Sequence, residues 1–457
     1  MNKPISDLSK ADIAYQFHPY TNARLHEQTG PLVITHGEGV YVFDEHGRRY
    51  IEAMSGLWSV GLGFSNERLI RAAETQLRTL PFYHLFSHKS HAPGILLAEK
   101  LIELAPVPMS KVFFTNSGSE ANDTVVKMIW YRNNALGMPE KKKIISRLGG
   151  YHGVTVVSSS LTGLQGNHRG FDIPLPGFLH VSNPHQYRFG LTGETEEQYA
   201  DRLAAELENL IQKEGPHTIA AFYGEPLMGA GGVIVPPKTY WEKIQKVCQR
   251  HDVLVVADEV ICGFGRTGNM FGCETFGIKP DVMVLSKQLS SSYQPIAAVL
   301  VSDKVFQPIA EQSHDLGTFG HGFTGGGHPV ACAVALENIR IIEEDGLVVH
   351  AREMGHRLHS ALSSLIDHPM VGEVRGVGLI AGVELVLDKA EKVAFAEKGR
   401  LGREFLGRAH ANGMIVRGIH DTIALCPPLI SSPSEIDEIV EKFGRTLNEL
   451  RLALHSV

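Results

Sequence analysis

"DVMVLSKQLSSSYQPIAAVLVS", residues 281–302, poses the problem from which the fold can be read. Val282, Met283, Val284 and Leu285 form an unbroken apolar run, and Lys287 follows it almost at once. A charge at the mouth of a buried strand is costly unless something neutralises or uses it. A run with no polar alternation reads as a strand covered on both faces, the kind found in parallel sheets. Working outward, the same pattern recurs in "KVFFT" (111–115), "KKIISRL" (142–148), "TIAAFYGE" (218–225), "VLVVADE" (253–259) and "IAAVLVS" (296–302). Helical patterns lie between them, at 120–133, 196–213 and 238–251. Strands alternating with helices predict an α/β fold with a mostly parallel sheet.

The two ends of the chain read differently. Residues 31–51 alternate, with a hairpin turn expected at 44–47. After Pro329 come one long helix, strands in 371–386 and 414–428, and a terminal helix from about Ser434. This organisation predicts a large domain over 65–328 and a smaller α+β domain, built from 1–64 and 329–457.

Composition narrows the function. The chain has 457 residues, 43% hydrophobic and 20% charged, with a formal net charge of −7. No basic stripe suggests nucleic acid, and no apolar run is long enough for a membrane span or a signal peptide. The cysteines, Cys248, Cys262, Cys273, Cys332 and Cys426, are odd in number and form no CxxC pair. A reducing, cytoplasmic setting is expected, without a disulfide framework. The 23 histidines are scattered with no HExxH, so no metal site is expected.

In a parallel sheet, ligands gather beyond the carboxyl ends of the strands. The polar residues at those ends are Thr115 to Ser119, Gly149 to His152, Glu225, Asp258, Glu259 and Lys287. "TNSGSEAND" (115–123) ends a strand and opens a helix, where free N–H groups attract an anion; read alone, it is also an ordinary N-cap at Ser119. Asp258 emerges from an apolar strand and needs a cationic partner or strong hydrogen bonds, unless it caps the next turn. Magnesium on Asp258 and Glu259 is another option, but strand neighbours face opposite ways. Lys287 is a desolvated nucleophile or a snorkelling lysine. A phosphate cup, an acid for a ring nitrogen and an amine able to bond an aldehyde together fit pyridoxal 5′-phosphate. Tyr151 could then stack on its ring.

Longer stretches carry a resemblance. They are "YVFDEHGRRYIEAMSGLWSVGLGF" (41–64), "FFTNSGSEAND" (113–123), "GGYHG" (149–153), "GEPLMGAGG" (224–232), "VVADEVICGFGRTG" (255–268), "HGFTGGGHPVACAVALENI" (321–339) and "CPPLISSPSEID" (426–437). Through them the chain resembles the class III, ω-type aminotransferases of pyridoxal-phosphate fold type I, over nearly its whole length. The resemblance implies a ping-pong transfer of an amino group from a primary amine or ω-amino acid to a keto acid, pyruvate above all. It gives Lys287 the covalent bond to the cofactor and the proton shuttle, Asp258 the pyridine nitrogen, and Glu225 the support of that acid or of the ring's 3-oxygen side. Gly118 and Ser119 would hold the phosphate, Tyr151 one ring face and Val260 the other, with His152 also at the cofactor. Thr324 would reach the phosphate of a neighbouring subunit, so a homodimer is implied. Trp58, Phe86 and Ala230 would wall the substrate pocket, and Arg417 would pair with a substrate carboxylate and swing aside for an apolar group. Without the resemblance, the two aromatics read as core residues and Arg417 as a surface arginine.

This chain departs from the family in places. Gln288 stands where relatives carry glycine after the lysine, Gly325 and Gly326 where many carry Tyr-Ser, and Lys89 where some carry arginine. The glycines are expected to make the phosphate loop costlier to order. Remaining alternatives are an aminomutase or a dedicated biosynthetic aminotransferase of the same fold, a metal-dependent hydrolase, and a non-catalytic binding protein on this scaffold.

Overall fold

The computed structural model describes residues 6–455; residues 1–5, the start of the segment 1–64 expected in the smaller domain, lie outside them. Its centre is a seven-stranded sheet, in the spatial order Lys111–Thr115, Ala297–Val301, Val282–Leu285, Leu254–Asp258, Ile219–Gly224, Lys143–Arg147 and Phe178–Val181. All six expected strands are present. One of them, Ala297–Val301, runs antiparallel to both neighbours, and the rest are parallel. The seventh, Phe178–Val181, was not anticipated. It has four residues, one of them His180, which is too little apolar sequence to stand out.

The opening run explains itself. Val282 and Val284 belong to one core cluster, with Val125, Val126 and Ile129 of the helix Gly118–Ala135. Met283 and Leu285 belong to another, with Trp241, Ile244 and Val247 of the helix Tyr240–Arg250. Successive side chains of a strand point to opposite faces, so a sheet with helices on both faces needs every residue apolar.

The chain ends meet. Tyr41–Asp44 and Arg49–Glu52 form the expected hairpin, and Met414–Ile415 adds to Arg49–Glu52 in parallel. A third sheet holds Val371–Gly376, Ala381–Leu385, Thr422–Leu425 and Arg417–Ile419. The single long helix expected after Pro329 is two, Pro329–Glu344 and Leu347–Ser363. The break falls at Gly346, whose φ of +62° is a left-handed conformation that glycine adopts freely. Among the described residues, no helix is long and apolar enough to cross a membrane.

Candidate active site

Six strands of the central sheet end on one rim, and a cavity lies there. Gly118, Ser119, Asn122, Tyr151, His152, Gly153, Glu225, Asp258, Val260, Ile261, Ser286 and Lys287 line it. The structure thus brings together eight of the residues singled out from sequence: Gly118, Ser119, Tyr151, His152, Glu225, Asp258, Val260 and Lys287.

Asp258 is buried at the end of its strand and fully engaged. Its Oδ2 lies 2.8 Å from His152 Nδ1 and accepts from Asn122 Nδ2 at 3.0 Å, while Oδ1 accepts from the Val260 N–H at 3.1 Å. Burial alone would raise this carboxyl, but the contacts with His152, Asn122 and Val260 bring it below its ordinary range. Asp258 is therefore an anion at working pH. Glu259 turns the other way and accepts from the Gly272 N–H at 2.9 Å and the Cys273 N–H at 2.6 Å. The two carboxylates are spent on separate partners, which removes the geometric basis for one shared ion.

Lys287 is half-buried in the short turn Lys287–Leu289, with φ at +46°. A non-glycine residue held there costs on the order of 1–3 kcal/mol. The loop that holds it is fastened by its own polar side chains. Ser286 Oγ donates to the Ile296 carbonyl at 3.0 Å, Ser290 Oγ to Gln294 at 2.6 Å and Ser291 Oγ to Asn338 Oδ1 at 2.6 Å. Asn338 Nδ2 in turn donates to the Gln288 carbonyl at 2.7 Å. Gln288 is buried, donates to the Phe264 carbonyl and accepts from Arg266. Arg266 is itself fully buried and donates to the Leu379 and Pro427 carbonyls, at 2.8 and 2.6 Å. The departures from the family in "KQLSSS" thus build a rigid base for the lysine. Burial lowers the affinity of Lys287 for its proton; Asp258 and Glu225 oppose this, and the Arg417 guanidinium adds to it.

The helix Gly118–Ala135 is capped by Ser117, whose Oγ accepts from the Glu120 N–H at 3.2 Å. This corrects the N-cap reading of Ser119, which sits inside the first turn and accepts from the Val154 N–H at 3.1 Å. Glu225 accepts from the N–H groups of Tyr151 and Gly229 at 3.0 and 2.9 Å, and burial raises its carboxyl. The glycines at 325 and 326 serve a close approach. A Cβ at 326 would meet the Phe114 carbonyl at 2.7 Å, so the strand end crowds larger residues there, whereas at 325 it would meet the Asn116 side-chain Oδ1, an atom that can move aside.

The other four sites and Arg417 stand outside the lining. Trp58 is buried in a core cluster with Ile261, a lining residue. Ala230 is half-buried, in a turn whose Gly229 abuts Ile261. Phe86 and Thr324 are both exposed, and Phe86 packs near Gly322. Arg417 is half-buried, and its charge acts on both Tyr151 and Lys287. Sequence reading missed Asn122, Gly153, Ile261 and Ser286. Asn122 was legible, since it lies three residues after Ser119 on the same helix face. It also missed Tyr20, which hydrogen-bonds Tyr151 and carries no local signal.

The donor set suits pyridoxal 5′-phosphate. It pairs a buried anion able to face a protonated ring nitrogen with a desolvated amine and with the start of an 18-residue helix. The His152 Nε2 is buried without a partner, leaving one polar atom free to turn toward a ligand.

Comparison with known proteins agrees with this chemistry. The family model for class III aminotransferases matches residues 22–447. A probable γ-aminobutyrate transaminase 3, mitochondrial, from Oryza sativa subsp. indica is 50% identical over 430 residues, covering 94% of this chain and 84% of that protein. The ω-transaminase of Pseudomonas jessenii, solved in complex with PMP, is 69% identical with a TM-score of 0.97, covering 97% of this chain and 98% of that one. A thermostable ω-transaminase variant, W58M/F86L/R417L, engineered for asymmetric synthesis of enantiopure bulky amines, is 68% identical at a TM-score of 0.97, covering 98% and 99%.

Proposed function

The chain belongs to the class III aminotransferases, a family of pyridoxal-phosphate enzymes, and from that premise we propose that it moves an amino group from a primary amine or ω-amino acid to pyruvate. When bound, the cofactor supplies an aldehyde that takes and returns the amino group and a ring that accepts carbanion charge.

The protein's own residues do the rest. Asp258, an anion fixed by His152 and Asn122, would pair with the ring nitrogen and keep it protonated. Glu225 backs that end of the cavity. Gly118 and Ser119, at the helix start, would hold the phosphate, and Tyr151 and Val260 would flank the ring. Lys287 Nζ would hold the cofactor's aldehyde carbon, and its amine would be the group that takes up and returns a proton there. Its desolvated amine suits that work, because a fully protonated lysine cannot act as a base.

Specificity rests on Trp58, Phe86, Ala230 and Arg417. The engineered relative is altered at three positions whose numbers and native residues match Trp58, Phe86 and Arg417 here. Arg417 would take the carboxylate of pyruvate or of an ω-amino acid and withdraw for an apolar amine. Phe86 and Thr324 lie at the surface beside exposed Phe82 and Tyr83, and we assign this face to a second copy of the chain. Each copy would then complete its neighbour's site in a homodimer. Residues 65–328 would form the cofactor-binding domain, with 1–64 and 329–457 as the smaller one. Five free, buried cysteines support a cytoplasmic setting.

The single observation behind this reading is the anionic Asp258 in one cavity with a desolvated Lys287. A donor panel of aryl amines, β-alanine and γ-aminobutyrate, each run with pyruvate and with a dicarboxylic keto acid, tests it. Alanine should form from amine and ω-amino acid donors. Transfer only to the dicarboxylic acid would overturn the pyruvate assignment.

A further inference from the structure

Away from the cavity, the helices Asp7–Tyr15 and Ala23–Thr29 and the turn between them bring three side chains to one point. Asp12 Oδ2 lies 2.9 Å from His18 Nε2, and Asp12 Oδ1 lies 2.9 Å from His26 Nε2. All three ligand atoms fall within 4.8 Å of one another. The two imidazole rings are 4.3 Å apart between centroids and tilted by 39°. We propose that Asp12, His18 and His26 bind one divalent transition-metal ion of the zinc type, at a site distinct from the catalytic cavity. Such an ion would run against the expectation, drawn from the scattered histidines, that the chain holds no metal.

The ligand chemistry is suited to that ion. Two neutral imidazoles and one carboxylate are a set that zinc accepts, with a fourth position left for water. Ligand bonds of about 2.0–2.2 Å place tetrahedral ligand atoms roughly 3.3 Å apart. The 2.9 Å contacts therefore need to open by only a few tenths of an ångström. An ion would replace the protons now shared between the ring nitrogens and the carboxylate. The side chains of His18, Asp12 and His26 retain 26%, 16% and 11% exposure, enough to leave one side open to the ion and its water.

Charge separates this cluster from the other one of the same shape. His185, Glu373 and Glu384 also converge within 4.8 Å. There Arg375 pairs with Glu373 at 2.6 Å and with Glu384 at 2.9 Å, and Arg188 pairs with Glu384 at 2.6 Å. A cation would meet two guanidinium groups. Among the described residues, no lysine or arginine pairs with Asp12.

The position gives the ion a structural consequence. Ligands at 12, 18 and 26 close the segment that carries Tyr20. The Tyr20 hydroxyl accepts from Asn167 Nδ2 at 2.5 Å and is hydrogen-bonded to Tyr151. A metal cross-link would brace the strap that rests Tyr20 on the rim of the cavity.

The test uses tag-free holoenzyme, stripped of metal by chelator and dialysed. Zinc is titrated against a chromophoric chelator. The expected result is one tight equivalent per chain, weakened roughly 100-fold or more in His18→Gln and His26→Gln and unchanged in His185→Gln. Zinc X-ray absorption on the loaded wild type needs no variant and should show two imidazoles with oxygen for the remainder. No stoichiometric equivalent in the wild type would overturn the proposal. So would unchanged affinity in folded His18→Gln, or a zinc shell with sulfur or fewer than two imidazoles.

Discussion

His152 Nδ1 stands 2.8 Å from Asp258 Oδ2, with both side chains almost wholly out of solvent. Asn122 joins them through Asp258 and in turn accepts from the Tyr223 hydroxyl at 3.0 Å. This network holds an anion where burial would otherwise neutralise it. Asp258→Asn keeps the shape and loses the charge. We expect kcat/KM to fall by on the order of 10²–10³-fold, the size of one lost electrostatic contact to a reacting system. Steady-state kinetics with any accepted amine decide it; a rate within threefold or so of wild type would remove Asp258 from the ring-nitrogen role.

Lys287 has a harsher test. Its place at φ +46°, on a base of Ser290, Ser291, Gln288 and Asn338, leaves no other amine among the residues that line the cavity. Lys287→Ala should still take up cofactor by the remaining contacts, and its turnover should fall by at least about 10⁴-fold. Borohydride treatment followed by peptide mass spectrometry should mark position 287 in the wild type. A borohydride adduct on any other lysine would transfer the role.

Arg417 acts on Lys287 and Tyr151 by charge, and burial weakens its own hold on a proton. Among the described residues no carboxylate pairs with the Arg417 guanidinium, which leaves it available to a substrate carboxylate. In Arg417→Leu, kcat/KM for pyruvate should fall roughly 10- to 100-fold, the worth of a charge-assisted hydrogen bond pair. For an aryl amine the fall should stay within about threefold. Equal losses for both would show that Arg417 supports the fold rather than reads carboxylates.

The parts of this molecule that sequence exposes are those governed by local rules. Val282 to Leu285 had to be apolar at every position because both faces are covered, so the strand, the sheet type and the rim all follow. Asp258 was visible because nothing polar precedes it in its strand, and Lys287 because it follows the apolar run 282–285 with only Ser286 between. The resemblance added roles that no spacing supplies. What stayed hidden depends on contacts distant in sequence. Tyr20 meets Tyr151 across 131 positions of chain, and Arg266 reaches Pro427 and Gln288 without any acidic partner to betray it. The antiparallel sense of Ala297–Val301 also lies outside the reach of composition, because it depends on how short a connection follows Lys287.

Glu384 links pH to the scaffold beside the site. It sits in the strand Ala381–Leu385, paired with Arg375 and Arg188. Arg375 also donates to the Gly232 carbonyl at 2.6 Å, in the turn that carries Ala230. Burial by itself would raise the Glu384 carboxyl, but Arg375, Thr422 and Arg188 draw it down from 4.5 to about 2. A folded-state value below the unfolded one gives stability that is complete above pH of about 4.5 and lost as pH falls toward 2, here about 3 kcal/mol. Glu384→Gln leaves two guanidinium groups short of charge and should cost roughly 3 kcal/mol at neutral pH. Urea midpoints of both proteins at pH 7 and near pH 3 give the comparison. The gap between them should be wide at pH 7 and narrower near pH 3, where the unfolded chain's carboxyl binds a proton that the folded one still resists. A gap of equal size at both pH values would mean that Glu384 acts through packing alone, and that the charge clamp on Arg375 contributes nothing to holding the Gly232 turn.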